Sequence, residues 1–150
     1  MRYDHTQRAP LHLLLDVPAA ACFAMAWLLR DQPPAPLFLL PTAGLFLLLA
    51  YMFRYLRIFD EGQSLVVRYG PIPLFGTRIP YHKITQVAAD RTRFIDGWGI
   101  HWVPGRGTTF NLWGFDCVRI EMGSKTVRLG TDDPDGLCEF IREQVAPQGD

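Results

Sequence analysis

Charge is scarce along a stretch near the N-terminus of the sequence. From Leu11 to Phe53 the charged residues are Asp16, Arg30 and Asp31. The whole chain has 15 basic and 15 acidic residues and therefore no net charge, whereas nucleic-acid-binding proteins normally have a clear basic excess. The composition argues against a nucleic-acid partner, and the charge-poor stretch points to an apolar environment.

Cysteine is also scarce. The three cysteines, Cys22, Cys117 and Cys138, form neither a CxxC pair nor an even set. This pattern is typical of free, structural thiols and agrees with a reducing compartment for the water-exposed part of the chain.

Catalytic motifs are missing as well. The two serines, Ser64 and Ser124, lie outside any Gly-x-Ser-x-Gly sequence, and neither His82 nor His101 belongs to an HExxH motif. The glycines between 97 and 107 lack the Lys-Ser/Thr and the helix of a phosphate-binding loop. We therefore predict that the protein is not an enzyme and has no catalytic residue, metal or cofactor.

Two apolar runs dominate the first part of the chain, Leu11–Leu29 and Pro36–Phe53, joined by a polar, proline-rich turn. At about 1.5 Å of rise per residue, each run nearly crosses a hydrocarbon core of about 30 Å. The pattern predicts a transmembrane hairpin within 11–53, with helices at about 11–30 and 36–53. A buried hairpin in a soluble protein is the alternative, but the rest of the chain is too short to cover two such helices.

Positive charge indicates how the hairpin is oriented. Four arginines flank its outer ends and one lies in its turn: Arg2, Arg8, Arg54 and Arg57, against Arg30. Both termini are therefore expected in the cytoplasm, so that residues 1–10 form a cytoplasmic segment. A cleaved signal peptide competes for the first run, because Ala24-Met25-Ala26 resembles a cleavage site.

Asp16 is an unusual residue within the first apolar run. Intramembrane carboxylates are often functional, which raises the alternative of a small transport-related subunit, with His12 as the available polar partner. The simpler interpretation is a hydrated or helix-paired carboxylate near the cytoplasmic end. Ala20 and Ala24, spaced four residues apart, are candidates for a close contact between the helices.

After Phe53 the hydrophobic period changes to two, which is typical of strands. Turn residues divide residues 54–146 into about seven antiparallel strands, and the hairpin signal is clearest between Val118 and Leu129. A helix is predicted from Pro134, with an aspartate cap and apolar residues at helical spacing. Residues 147–150 form a tail. The predicted class is thus an α+β membrane protein with a β-barrel or sandwich capped by a C-terminal helix.

The order of several short motifs resembles the bacterial membrane-anchored PH-like (pleckstrin-homology-like) domain family. The motifs are Gly70 after a strand, Arg78-Ile79-Pro80 followed by Ile84 and Val87, Gly97-Trp98-Gly99-Ile100, and Val127 to Pro134. The resemblance covers about residues 11–145. It implies a PH-like barrel on the cytoplasmic face of a bacterial plasma (inner) membrane, without a known catalytic signature.

Two groups of residues are candidate sites. Basic residues that could meet a lipid surface or headgroup are Arg54, Arg57, Arg68, Arg78 and Lys83. A candidate interaction or structural motif consists of Gly97, Trp98, Gly99 and Trp102. Aromatic side chains here are expected to pack in the core, and any that are exposed would favour a protein partner.

The leading functional prediction is a non-enzymatic, membrane-tethered interaction or scaffold module on the cytoplasmic face. Its partner is predicted to be another membrane protein or a second copy of the chain, since tethering raises effective concentration and strand edges can pair. The alternative is a lipid or small-ligand sensor that uses the loops of the barrel.

Overall fold

The protein combines an apolar helical hairpin with a β domain of two sheets. The computed structural model describes residues 3–146, apart from the side chain of Asp96, so that Arg2 and the predicted tail lie outside the described residues. The helices are α1 (Leu11–Leu28), α2 (Ala35–Met52) and α3 (Pro134–Val145). The strands are β1 (Asp4–Arg8), β2 (Tyr55–Asp60), β3 (Ser64–Gly70), β4 (Gly76–Pro80), β5 (Gln86–Arg91), β6 (Gly99–Val103), β7 (Gly107–Asn111), β8 (Asp116–Met122) and β9 (Lys125–Gly130).

α1 and α2 form the predicted hairpin, and each is long and apolar enough to cross a membrane by length and composition. The two helices pack mainly against each other. Ala19 and Ala26 of α1 and Ala43 and Ala50 of α2 are buried in this contact. A spacing of seven residues is about two helical turns, so each pair lies on one face. Small side chains on that face allow the helices to approach closely.

The first sheet has the order β1-β2-β3-β4 and is antiparallel throughout. Its edge strand β1 belongs to the N-terminal segment, for which the sequence predicts no strand. β1 and β2 are neighbours, and Arg8 at the end of β1 lies opposite Tyr55 at the start of β2. The helical hairpin is therefore inserted between two adjacent strands of one sheet.

The second sheet has the order β5-β8-β9-β7-β6 and contains one parallel pair, β7 with β9. The described residues thus form nine strands instead of about seven, and not all are antiparallel. Besides β1, the extra strand arises where the sequence predicts one broken strand. There a 3₁₀ turn at Tyr81–Lys83 separates β4 from β5, because it carries the chain from the first sheet to the second.

The two sheets and α3 share one hydrophobic core. Tyr69 of β3 connects the sheets, since its hydroxyl donates to the carbonyl oxygens of Gly99 at 2.9 Å and Asn111 at 3.1 Å. α3 covers the side of the core at which β1, an edge strand of the first sheet, and β5, an edge strand of the second, are found. Phe140 of α3 stacks on Tyr3 there, with ring centroids 5.4 Å apart. The helix begins at Pro134 as predicted, and the Asp133 carboxylate accepts a hydrogen bond from the Gly136 amide.

Candidate functional site at the base of the hairpin

Polar side chains collect where the helical hairpin joins the β domain. β1 ends at Arg8, His12 lies in the first turn of α1, and Tyr51 lies in the last turn of α2. Arg54 connects α2 to β2, which begins at Tyr55. The pairing of β1 with β2 brings Arg8 and His12 to the other three positions, which lie 39 to 47 residues later in the sequence. We call Arg8, His12, Tyr51, Arg54 and Tyr55 the basal cluster.

Two cavities adjoin the basal cluster. The larger has a volume of about 760 Å³, and its lining comprises Arg8, Ala9, Pro10, His12, Tyr51, Arg54, Tyr55 and Pro71. The smaller, of about 210 Å³, extends along the helices and is lined by His12, Asp16, Leu47, Ala50, Tyr51 and Arg54. The cavities share three lining residues, His12, Tyr51 and Arg54, and are therefore adjacent. The larger one is within the size range of small-ligand sites.

The basal cluster carries unbalanced positive charge. Among the side chains that the structure describes, neither Arg8 nor Arg54 has an ion-pair partner. The Arg54 guanidinium lies 6.0 Å from the ring centroid of Tyr51, a cation–π contact. α1 begins beside the larger cavity without a side-chain cap and without an acidic residue in its first turn, so its N-terminus adds partial positive charge.

Two further polar groups complete the site. Nδ1 of His12 lies 3.1 Å from the carbonyl oxygen of Ala9, which leaves Nε2 available to a ligand. Asp16 is half-buried and lines the smaller cavity together with Arg54. The structure therefore places the predicted intramembrane carboxylate beside a basic group at the domain end of the hairpin.

Arg57, another of the predicted basic residues, is neutralised on the outer face of the first sheet. Its Nε donates to the Asp4 carboxylate at 2.8 Å, and this hydrogen bond holds the pKa of Asp4 below its usual range. The Arg57 guanidinium also covers the ring of Phe59. Arg57 thus fastens β1 to β2 rather than lining the basal cavities.

Arg68 and Arg78 share one acidic partner, Glu61, at 3.6 Å and 2.5 Å. Lys83 is exposed on the 3₁₀ turn between the sheets. Of the five predicted basic residues, Arg54 is the one that the structure brings to the base of the hairpin.

The predicted motif around Gly97 is divided by the structure. Trp98 stacks on Trp113 with ring centroids 4.5 Å apart, and Gly99 accepts the hydrogen bond of Tyr69 described above. Trp102 instead lies on the edge strand β6 with 70% of its surface exposed. Packing therefore accounts for Trp98, whereas Trp102 is free to meet a partner.

Exposed apolar side chains occur in two further loops. The loop between β3 and β4 presents Leu74 and Phe75 beside the hairpin, where Phe75 stacks on Phe53. In the loop between β5 and β6, Phe94 is 87% exposed and Ile95 is 68% exposed. Since isolated exposed residues are ordinary but contiguous apolar patches mark interaction sites, the second loop and the neighbouring edge strand form a candidate partner surface.

The described residues contain no group of three or more His, Cys, Asp or Glu side chains that could hold a metal ion. Burial raises the pKa of the Cys138 thiol, which keeps it protonated and weakly nucleophilic.

Sequence reasoning missed four members of the basal cluster: Arg8, His12, Tyr51 and Tyr55. Arg8 and the two tyrosines stand out in the sequence only as flanking charge and interfacial aromatics. The sequence offers little to join them, since Asp4 to Arg8 are all polar and the strand that pairs with β2 has no apolar alternation. Comparison of the chain with protein-family models, with curated proteins and with solved structures finds no match.

Proposed function

We propose that the protein is a non-enzymatic, membrane-tethered interaction module, with two spanning helices and a β domain held on the cytoplasmic surface. The exposure of the hairpin carries this proposal. Only 11% of the residues of α1 and 17% of the residues of α2 are buried, although both helices are apolar. A core helix of a soluble protein would be covered by the rest of the chain, whereas a spanning helix presents such a surface to lipid.

The pairing of β1 with β2 supports an even number of membrane crossings by the chain. Because Arg8 lies opposite Tyr55 in one sheet, the chain enters and leaves the hairpin at the same place. Cleavage after Ala24-Met25-Ala26 would remove β1, so that β2 would lose one of its two neighbouring strands. This loss favours a first helix that is retained in the mature protein.

The flanking charges support a cytoplasmic β domain. Arg8 and Arg54 lie at the base of the hairpin, while the turn at its tip has Arg30 in contact with Asp31 at 3.8 Å. Basic residues are enriched on the cytoplasmic side of spanning helices.

We expect opposite labelling of the two ends of the molecule by a membrane-impermeant maleimide. In intact cells, Gln32→Cys at the hairpin tip should be labelled, while Ser124→Cys in the β8–β9 turn should react only after lysis. The unsubstituted chain provides the background, which comes from the half-exposed Cys22 because Cys117 and Cys138 are buried. Labelling of Ser124→Cys in intact cells would show that the topology is the reverse of the proposed one. Labelling of neither site before lysis would argue against a spanning hairpin.

A PH-like architecture is part of the proposal. Two sheets around one core, with a C-terminal helix over their open side, support it. The parallel pairing of β7 with β9 departs from the antiparallel arrangement that the resemblance implies.

The partner surface is proposed to be the strip formed by Phe94, Ile95 and Trp102. These side chains are among the most exposed apolar residues of the β domain, and β6 is an unpaired edge of its sheet. Aromatic anchors and open strand edges both favour protein contacts. Because β1 and β2 fix the domain to the hairpin, the strip is presented to proteins in the same membrane, including other copies of this chain.

A photoreactive amino acid at position 95 or 102 is expected to form a discrete adduct in native membranes on illumination. The same amino acid at exposed Lys83, on another surface, is the matched control and should form none. An adduct of twice the 17.1 kDa chain mass identifies a second copy, and another mass identifies a different partner. Recovery of the uncrosslinked chain alone from all three positions would overturn the interaction proposal.

A further inference from the structure

We infer that the basal cluster binds the phosphate group of an anionic phospholipid. The inference rests on the proposed membrane insertion and adds a ligand to it. It moves the lipid contact away from the loops of the barrel, where the sequence places it, to the junction of hairpin and β domain.

The depth of the cluster is the first argument. α1 and α2 have 18 residues each, or about 27 Å at 1.5 Å per residue, which is close to the thickness of the hydrocarbon core. Arg8, three residues before α1, and Arg54, two residues after α2, lie just beyond the helix ends on the domain side and therefore at the level of the lipid phosphates. Tyr51 and Tyr55 flank them at the depth that tyrosine prefers in membranes.

The charge of the site is the second argument. Other arginines of the first sheet have carboxylate partners, as Arg57 has Asp4 and Arg78 has Glu61. Arg8 and Arg54 have none among the described side chains, and both line the same cavity. Two guanidinium groups beside an uncapped helix N-terminus match a phosphate, because a guanidinium can donate two parallel hydrogen bonds to it.

The shape of the site is the third argument. The larger cavity, about 760 Å³, is open at the base of the hairpin and has both polar and apolar walls, so that a headgroup can enter it. The smaller cavity adjoins it along α1 and α2. The first carbons of the acyl chains would lie against its apolar wall at Leu47 and Ala50, while His12, Asp16 and Arg54 form its polar wall. Asp16, at the inner end, disfavours deeper penetration by the anion and limits the phosphate to the level of the arginines.

The test compares two double variants of the full chain. In Arg8→Gln/Arg54→Gln the basal charges are removed, and in Arg68→Gln/Arg78→Gln an equal charge is removed from the outer face of the first sheet. Native mass spectrometry from detergent micelles measures how much phosphatidylglycerol or phosphatidylcholine each protein retains. We expect the basal variant to lose phosphatidylglycerol affinity about tenfold for each arginine removed, since each loses a charge-assisted hydrogen bond. The control should retain the affinity of the unsubstituted chain.

Further arms keep the outcomes distinct. Arg8→Lys/Arg54→Lys retains the charge but not the paired donors and should bind with intermediate affinity. Resistance to carbonate extraction shows whether each variant is still inserted in the membrane. If the basal variant is inserted but has lost its lipid, the loss is due to the lipid site and not to failed insertion. A failure of this inference can therefore be distinguished from a failure of the proposed function.

The inference would be overturned if phosphatidylcholine were retained as well as phosphatidylglycerol, or if the inserted basal variant bound lipid like the unsubstituted chain. An equal loss in the Arg68/Arg78 control would also overturn it. Displacement of the lipid by added glycerol phosphate in the same micelles would assign the site to a soluble phosphate compound instead.

Discussion

Replacing Gly107 with alanine is expected to destabilise the β domain more than any other conservative change at a turn. Gly107 begins β7 with a φ of +86°, and an added Cβ would lie 2.0 Å from the backbone carbonyl oxygen of Thr126 in β9. Backbone cannot move aside as a flexible side chain can, so the parallel pairing of β7 with β9 would have to shift. We expect a loss of about 4 kcal/mol, from positive φ and steric overlap together.

Gly105 provides a matched control in the same turn. Its φ is +74°, but nothing lies within 4 Å of an added Cβ. Gly105→Ala should therefore carry the conformational cost alone, about 1–2 kcal/mol. Thermal unfolding of the detergent-solubilised protein, followed by circular dichroism, measures both. A Tm for Gly107→Ala equal to that for Gly105→Ala would show that the close approach to Thr126 does not govern stability.

Replacing Ala19 with leucine is expected to separate the helices of the hairpin. Ala19 has no exposed surface, since α2 covers it, and a larger side chain there must displace the facing helix. Overpacking of a close contact costs about 1–3 kcal/mol. The midpoint of unfolding by sodium dodecyl sulphate, monitored by tryptophan fluorescence, should fall accordingly.

Ala20→Leu is the adjacent control, because Ala20 is exposed. There the added side chain has room at the surface of the helix, and we expect a change of less than about 0.5 kcal/mol. A larger loss for Ala20→Leu than for Ala19→Leu would contradict the observed helix contact.

The alanines of α1 also show what a local pattern misses. The spacing of Ala20 and Ala24 suggested the helix contact, but that interpretation is wrong, since both are exposed. The alanines of α1 that are buried are Ala19 and Ala26, seven residues apart. An almost uniformly apolar helix has no polar face to indicate which side packs, so its partner helix decides.

Within the β domain, the sequence anticipated most elements because their signals are local. β6 at Gly99–Val103 and α3 from Pro134 follow from alternation, turn residues and a capping aspartate. β1 was missed because a short strand before an apolar helix reads as a flanking segment. The parallel β7–β9 pair was missed because strand order depends on contacts distant in sequence.

By itself, the sequence determined that two long apolar helices precede a β-rich domain closed by an amphipathic helix. These features depend on charge density, hydrophobic period and helix capping, all of which act between residues close together in the chain. Only the tertiary structure decided that β1 pairs with β2 across the hairpin and gathers Arg8, His12 and Arg54 at its base. It also decided which arginines have carboxylate partners, because strand register, and not spacing along the chain, sets which side chains meet.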